Sequence, residues 1–346
     1  MTDLAGVDLH QVAEWMDGEG LGVGPLADVE RLGGGTQNIL LRFTRSGRGY
    51  VLRRPPPHKR DNSDETMRRE ARVLAALADT DVPHPEMIAV CPDETVIGAA
   101  FYLMEPVDGF NPTTGLPPLH ASDGGIRYEM GLAMADSAAA LGRVDHVAVG
   151  LADFGKPDGY LERQVPRWRA HLESYATIEG YPGPEIPGLD QVADWLDANR
   201  PASFVPGVIH GDYHLANVLF RTDGGRLAAV VDWELSTIGD PLIDLGWLLA
   251  TWPDPEGPTL GSVGVRPWDG FPTAAELVAR YGEGSSRDLS AVNWYEVLAC
   301  YKLGIILEGT HARAFAGKAD TSVGDMLHAS TLGLFARATR RIATEG

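Results

Sequence analysis

Two short apolar runs, each leading into polar residues, constrain this chain more than any other feature. Val208–Phe220 reads Val-Ile-His-Gly-Asp-Tyr-His-Leu-Ala-Asn-Val-Leu-Phe, and a second run ends in Val-Val-Asp-Trp-Glu at Glu234. Short apolar, β-branched runs are typical of buried strands, and the residues at their ends stand at the mouth of a fold. Asp212, Asn217 and Asp232 therefore occupy positions where a chain presents functional groups.

The spacing of these three residues indicates a specific chemistry. An aspartate, an asparagine five positions later and an aspartate after the next strand form the pattern of the protein-kinase phosphoryl-transfer site. There the first aspartate orients and deprotonates a hydroxyl, and the other two residues hold Mg²⁺, which prefers oxygen ligands, on ATP. We predict that Asp212 is the catalytic base and that Asn217 and Asp232 are metal ligands. A turn aspartate that caps the following helix would explain Asp212 alone.

The motif that begins at His210, His-Gly-Asp-x-His-x-x-Asn, resembles the aminoglycoside phosphotransferase and choline kinase-like superfamily of small-molecule kinases. Within it, the chain is most similar to the branch related to the kinase domain fused to some acyl-CoA dehydrogenases. The supporting segments are Tyr50-Val-Leu-Arg-Arg-Pro55, Phe101-Tyr-Leu-Met-Glu-Pro-Val-Asp-Gly109, Tyr160-Leu-Glu-Arg-Gln-Val-Pro-Arg-Trp168 and Ile238-Gly-Asp-Pro-Leu-Ile-Asp-Leu-Gly246. The resemblance covers nearly the whole chain from about Leu32 and implies a two-lobed, protein-kinase-like α+β fold.

Patterning along the chain predicts the same order of elements. Strands, a glycine turn and a hairpin lead into a helix over Glu65–Leu77 and a strand over Val96–Met104, as in a small antiparallel-sheet N-terminal lobe. Helical spacing dominates afterwards, as in a mostly helical C-terminal lobe. We predict a nucleotide-binding lobe over residues 1–104, a hinge over 105–109, and a catalytic and substrate-binding lobe over 110–346.

A glycine-rich turn is the predicted phosphate-covering loop. Glycines let backbone amides approach phosphates closely, and neighbouring polar side chains add donors. The predicted cofactor-binding residues of this turn are Gly34, Gly35, Thr36, Gln37 and Asn38. An ordinary hairpin is the alternative explanation of these glycines.

The next strand departs from the protein-kinase pattern. Kinases place a lysine on the third strand and pair it with a helix glutamate, but here the strand ends in Arg53 and Arg54. Alternation places Val51 and Arg53 on one face, so we assign the phosphate-binding role to Arg53 and its pairing to Glu70. Arginine binds phosphate bidentately and stays charged. Arg54 is the competing assignment.

The segment after the Val96–Met104 strand is the predicted hinge. Met104, Glu105 and Val107 would present backbone groups and an apolar side chain to adenine. The same side chains would also suit a plain hydrophobic core.

Composition excludes several classes of function. The formal charge is 29 minus 48, or −19, whereas binding to a nucleic acid requires a basic surface. The chain contains no apolar run long enough to span a membrane, and its first residues lack the features of a secretory signal. Cys91 and Cys300 are predicted to be isolated buried thiols. We expect a cytoplasmic protein without a nucleic-acid or membrane partner; the sequence leaves its oligomeric state open.

The leading hypothesis is an ATP- and Mg²⁺-dependent kinase that phosphorylates a hydroxyl of a small metabolite. The resemblance implies a hydroxy-acid or hydroxyacyl-CoA acceptor; an aminoglycoside phosphotransferase and a nucleotide-binding pseudokinase with a regulatory role are alternatives. A zinc or iron hydrolase that uses His210, Asp212 and His214 is a further alternative.

The predicted acceptor walls are Asp254–Phe271 with Trp252, and the helix over Trp294–Arg313. These walls combine apolar side chains with cations such as Lys302, as an acyl chain with an anionic end would require.

Overall fold

The computed structural model describes residues 3–4, 6–33, 38–255, 257 and 264–344. The chain divides into two compact units. The first contains Met1–Gly109 and Ala228–Ser236, and the second contains Phe110–Leu227 and Thr237–Gly346. The segment that carries Asp232 thus belongs to the first unit, whereas the sequence division assigned every residue after 109 to the C-terminal lobe.

The N-terminal part of the chain forms most of the described strands. Its elements are β1 (Asp3–Leu4), β2 (Val7–Asp8), α1 (Leu9–Gly18), β3 (Ala27–Arg31), β4 (Ile39–Arg45), β5 (Arg48–Arg54), α2 (Ser63–Leu77), β6 (Met87–Cys91) and β7 (Phe101–Met104). Strands β3 to β7 form one antiparallel sheet in the order β3-β4-β5-β7-β6. Strand β7 is shorter than the predicted strand over 96–104, and β6 was not predicted from the sequence.

Alternation along β5 directs side chains to opposite faces of this sheet. Leu41 on β4 and Leu52 on β5 join Val12 and Met16 of α1 in one buried apolar cluster. On the opposite face, Arg53 meets α2, whose inward positions include buried apolar side chains. A strand's period of two therefore gives Arg53 a different environment from its neighbours.

The rest of the chain is mainly helical. Its elements are α3 (Pro118–Ser122), α4 (Gly124–Arg143), α5 (Gln164–Ser174), α6 (Leu189–Ala198), β8 (Gly207–Ile209), β9 (Val218–Phe220), β10 (Leu227–Val230), β11 (Thr237–Gly239), α7 (Leu242–Thr251), α8 (Ala274–Glu283), α9 (Val292–Phe315) and α10 (Thr321–Ala343). The predicted α+β architecture, an antiparallel sheet followed by a helical part, is confirmed. Among the described residues, no helix is both long and apolar enough to cross a membrane.

Helix α7 is the buried centre of the second unit. Every residue from Leu242 to Thr251 is buried, and the helix packs against α9. At Gly246 a Cβ atom would lie 2.4 Å from the backbone oxygen of Tyr295. This close approach requires glycine, so the packing of α7 on α9 depends on a residue without a side chain.

We expect Gly246→Ala to lower the free energy of unfolding by about 1–3 kcal/mol, because overpacking forces backbone shifts. Urea denaturation followed by circular dichroism would measure the change. Gly18→Ala at the end of α1 is the matched control, since nothing lies within 4 Å of its added Cβ. Equal stability of the two variants would contradict this account of the α7–α9 contact.

Candidate active site

Asp212 lies in a loop that follows β8, within the second unit. Its Oδ1 accepts a hydrogen bond from Trp247 Nε1 at 2.9 Å, and its Oδ2 accepts one from Asn217 Nδ2 at 2.9 Å. His214 Nε2 lies 3.1 Å from Oδ1. Three side chains thus orient one carboxylate, of which 29% is exposed.

The local hydrogen bonds define the protonation pattern around this carboxylate. His214 Nδ1 accepts the backbone N–H of Ala216, so the neutral ring carries its proton on Nε2, toward Asp212. Burial raises the pKa of Asp212, but His214, His210 and Asn217 together outweigh burial and hold that pKa well below its usual range. Asp212 is therefore ionised at neutral pH and can accept a proton.

A buried carboxylate on α7 fixes the start of this loop. Asp244 accepts the backbone N–H groups of His210 at 2.6 Å and Gly211 at 2.9 Å, so its carboxylate braces the loop. Gly211 has a φ of 87°, in the left-handed region that favours glycine. Backbone geometry thus accounts for the glycine of the His-Gly-Asp motif, and His210 is fully buried.

Asn217 closes the same loop. It ends a short 3-10 turn before β9, and its Nδ2 also donates to the backbone oxygen of Asp212 at 2.9 Å. Because both bonds use the amide nitrogen, Asn217 Oδ1 is the atom of this side chain that remains for a cation.

Lys302 was predicted as a cation of the acceptor wall, whereas Trp247 was not predicted as part of this site. The Lys302 ammonium lies 4.5 Å from the Trp247 ring centroid and 5.5 Å from that of Trp168, and it donates to the Gly211 carbonyl at 3.4 Å. Burial lowers the pKa of Lys302 to about 8, against the opposing charges of Asp212 and Asp244. The sequence signal for Lys302 was its charge within an otherwise apolar helix. Nothing in the motif that begins at His210 indicated a role for Trp247.

The first unit contains a second group of predicted site residues. Arg53 Nε lies 2.9 Å from Glu70 Oε2, and Arg53 Nη2 lies 2.5 Å from Asp232 Oδ1. Tyr102 on β7 donates its hydroxyl to Glu70 Oε2 at 2.9 Å. Burial raises the pKa of Glu70 to about 7, although Arg53 and Tyr102 oppose that rise.

Arg54 has different surroundings from Arg53. Its guanidinium donates to the backbone oxygens of Pro55, Gly6 and Ile97 at 2.9–3.1 Å. These contacts tie the N-terminal segment to the sheet. The structure thus gives Arg54 structural partners and gives Arg53 the two carboxylates.

Asp232 is held in an uncommon backbone conformation. Its φ is 68° and its ψ is 61°, which is left-handed for a residue with a side chain. Its carboxylate is 38% exposed. Oxygen atoms of Glu70, Asp232 and Glu234 lie within 4.8 Å of one another, so this oxygen-rich group fits a hard divalent cation.

Only some of the remaining residues predicted to contact the nucleotide lie within the described part of the chain. Gly34, Gly35, Thr36 and Gln37 lie outside the described residues. Asn38 lines a polar cavity of about 360 Å³ together with Glu234.

The predicted hinge begins at the end of β7. Met104 ends that strand and is buried. The Glu105 amide donates to the Glu86 carbonyl at 2.9 Å, and its side chain pairs with Arg48. Val107 follows in a half-buried stretch.

The predicted aromatic wall lies elsewhere in the second unit. Trp252, Trp268 and Phe271 pack together beside a cavity of about 580 Å³. Asp212 and Lys302 are not among the described residues that line it. A larger cavity, of about 1000 Å³, lies in another part of the unit. Asp212 and Lys302 are not among its described lining residues either.

His210, Asp212 and His214 do not converge as a metal-binding triad. His210 Nδ1 accepts the Asp212 amide at 3.3 Å, and His214 Nδ1 accepts the Ala216 amide. Among the residues that the structure describes, the clusters with ligand atoms within 4.8 Å of one another do not include these three side chains. Cys91 and Cys300 are free and buried, as predicted.

Comparison with known proteins gives consistent family evidence. A model of the phosphotransferase enzyme family matches residues 28–288. Human acyl-CoA dehydrogenase family member 11 is 31% identical over 290 residues, which cover 82% of this chain and 36% of that protein. The probable acyl-CoA dehydrogenase IBR3 of Arabidopsis thaliana is 32% identical, with 78% and 34% coverage. The chain therefore spans about a third of the length of these relatives.

Solved structures agree with this relationship. A protein from Ralstonia eutropha, provisionally assigned as an aminoglycoside phosphotransferase, has a TM-score of 0.80 and 31% identity, with coverage of 96% of this chain and 99% of that chain. The GDP complex of aminoglycoside 2'-phosphotransferase-IIIa has a TM-score of 0.63 and 16% identity, with 93% and 98% coverage. Together with the family match, these likenesses confirm the kinase-like fold, and the chain belongs to the phosphotransferase enzyme family.

Proposed function

We propose that this phosphotransferase is an ATP- and Mg²⁺-dependent kinase that transfers the γ-phosphate to a hydroxyl of a small metabolite. The observation that supports it best is the ionised carboxylate of Asp212, oriented by Asn217, His214 and Trp247. A carboxylate held in this way can align a hydroxyl and accept its proton. Positioning accounts for much of the catalysis of phosphoryl transfer.

In this proposal, Asn217 Oδ1 and the Asp232 carboxylate are the Mg²⁺ ligands. The oxygen donors beside Asp232 fit such a cation, and Glu234 is a further candidate ligand. Bound Mg²⁺ would neutralise charge on the ATP phosphates. The chain's own contribution is to hold Asp232 in a left-handed conformation that presents its carboxylate.

Arg53 takes the phosphate-binding role of the kinase lysine in this proposal. Glu70 lies beside it, and Tyr102 orients Glu70, so the guanidinium is held in one place. A guanidinium carries several donors in a fixed plane, which suits two phosphate oxygens. The turn over Gly34–Asn38 is proposed to cover the phosphates, and Met104–Val107 to contact adenine.

Lys302 supports an acceptor with an anionic end. It is a half-buried cation between two indole rings and bonds the residue next to Asp212. The names of the acyl-CoA dehydrogenase relatives suggest an acyl compound. We infer that the acceptor is a hydroxy-acid or a hydroxyacyl-CoA thioester.

An aminoglycoside acceptor is the second candidate. A neighbour with a TM-score of 0.54 and 16% identity, aminoglycoside phosphotransferase APH(4)-Ia, was crystallised with AMP-PNP and hygromycin B. A polycationic acceptor would be repelled by Lys302, so the charge near Asp212 favours the anionic class.

Asp212→Asn should leave nucleotide affinity nearly unchanged and reduce turnover roughly 10²- to 10⁴-fold, as expected for loss of a positioned general base. Calorimetry would give the affinity of ATP–Mg²⁺, and an ADP-release assay would give turnover. Asp223→Asn is a control, because Asp223 is an exposed aspartate that pairs with Arg221. Lost nucleotide affinity with intact turnover would contradict the assignment.

Arg53→Ala and Arg54→Ala should have separable effects. The Arg53 variant should weaken nucleotide binding at least roughly tenfold, or about 1.4 kcal/mol. The Arg54 variant should keep that affinity but unfold more easily by about 3 kcal/mol, because hydrogen bonds from charged groups contribute about 1.5–3 kcal/mol each. If only the Arg54 variant weakened nucleotide binding, the phosphate-binding role would belong to Arg54.

The Lys302 charge predicts a pH dependence of acceptor binding. Because its pKa is about 8, KM for an anionic hydroxy-acid should be lowest below that pH and rise above it. Lys302→Met should raise KM roughly 10- to 100-fold at pH 7, the equivalent of about 1.5–3 kcal/mol. Lys302→Arg should keep the low KM and move the rise to higher pH.

The methyl ester of the same hydroxy-acid is the control for a general loss of structure in the variant. The ester has no carboxylate charge to pair with Lys302, so its KM should not change in Lys302→Met. An equal rise in KM for acid and ester would show that Lys302 only supports the fold.

A further inference from the structure

A second cluster of metal-ligating side chains lies on α9 and α10. Glu308 and His311 stand three positions apart on α9, and Asp325 and His328 stand three positions apart on α10. The (i, i+3) spacing puts each carboxylate and its histidine on one face of a helix. Neither pair contributes to the proposed phosphoryl-transfer chemistry.

The side chains of the two helices converge. His328 Nδ1 lies 2.7 Å from Glu308 Oε2, and the rings of His311 and His328 stack with centroids 4.4 Å apart. One potential ligand atom from each of Glu308, His311 and His328 lies within 4.8 Å of the other two. Asp325 Oδ1 lies 3.6 Å from His311 Nδ1.

Burial makes this cluster unusual. Glu308 is fully buried, and its Oε1 accepts the Tyr181 hydroxyl at 2.7 Å. A buried carboxylate is costly without a cation or hydrogen-bond donors. His311 Nδ1 is also buried and has no hydrogen-bond partner among the described residues.

A Glu308–His328 ion pair would explain only part of this arrangement. It satisfies one oxygen of Glu308, and Tyr181 satisfies the other. It leaves His311 Nδ1 without a hydrogen-bond partner among the described residues, with Asp325 Oδ1 3.6 Å away. A small rearrangement around a cation would use both imidazoles and the Glu308 carboxylate.

We propose that Glu308, His311 and His328 bind a divalent first-row transition metal such as Zn²⁺, with Asp325 beside a fourth position. Two imidazoles and one carboxylate form a ligand set that suits zinc or iron and disfavours Mg²⁺, which prefers oxygen ligands. Tyr181 is the outer partner that orients the Glu308 carboxylate. The proposal is independent of the acceptor and of ATP.

This site would join α9 to α10. Metal binding to the folded chain raises its free energy of unfolding. The increase grows with the logarithm of the ratio of free metal concentration to Kd. Helix α9 also carries Lys302, so the cation would restrain the helix that supplies the proposed acceptor contact. Its ligands require neutral imidazoles, and affinity should fall as the pH is lowered.

The test is a Zn²⁺ titration of the full chain, purified without a tag, against a chromophoric chelator. We expect one equivalent bound with a Kd of roughly 1 μM or lower, an increase in Tm, and no competition from millimolar Mg²⁺. His328→Gln and His311→Gln should each weaken binding at least tenfold, and Asp325→Asn less.

His10→Gln is the matched control. His10 and Glu14 form an exposed pair on α1, with 3.6 Å between the nearest ring nitrogen and carboxylate oxygen, so this variant should bind zinc like the parent. His328 is itself partly exposed, which makes His328→Gln a mild change that keeps the fold. The proposal is overturned if the parent lacks a stoichiometric site, or if both histidine variants bind as tightly as the parent.

Discussion

Two backbone N–H groups, those of His210 and Gly211, donate to the buried carboxylate of Asp244, and the geometry around Asp212 depends on these bonds. They fix the loop at its first turn, where Gly211 takes a left-handed conformation. Asp244 itself is fixed because α7 is buried along its whole length. The glycine at 246 permits that burial by allowing close contact with α9.

The same region combines an anion, Asp212, with a cation, Lys302, whose pKa is lowered by burial. Hydrogen bonds and nearby histidines keep Asp212 ionised, while burial lowers the pKa of Lys302 to about 8. The cation is stabilised by the faces of Trp168 and Trp247. A negatively charged acceptor would therefore meet a positive group on its way to a carboxylate that would otherwise repel it.

In the first unit, Arg53 is proposed to take the role that lysine has in protein kinases. Arg53 contacts both Glu70 and Asp232, and a planar guanidinium can make both contacts at once. Lysine has a single nitrogen with rotatable donors, so it would not reproduce this geometry. The proposed phosphate role requires Arg53 to exchange part of this pairing for phosphate oxygens.

The sequence predicted the antiparallel sheet, the helical part and the family, because hydrophobic periodicity and motif spacing are local signals. It also placed Arg53 and Glu70 correctly on facing elements, since alternation on a strand determines the face. It placed Lys302 on the acceptor wall, but it did not predict that Trp247 would contact Asp212, because long-range packing of α7 brings these two residues together. For the same reason it placed the aromatic wall of Trp252 near the acceptor, whereas that wall lines another cavity.

The cluster of Glu308, His311, Asp325 and His328 had no sequence signal of its own. Its two carboxylate–histidine pairs lie on separate helices, and each pair is an ordinary helical spacing. Only the pairing of α9 with α10 brings the imidazoles into contact.

The most direct test of the kinase proposal is to follow phosphate transfer by ³¹P NMR with ATP, Mg²⁺ and a panel of acceptors. The panel should include hydroxyacyl-CoAs, hydroxy-acids, choline, sugars and aminoglycosides, each repeated with a chelator. We expect a phosphate monoester on a hydroxy-acid or hydroxyacyl compound, formed in equal amount to ADP and abolished by the chelator. Nucleotide binding without a monoester on any acceptor would contradict it and favour a regulatory pseudokinase.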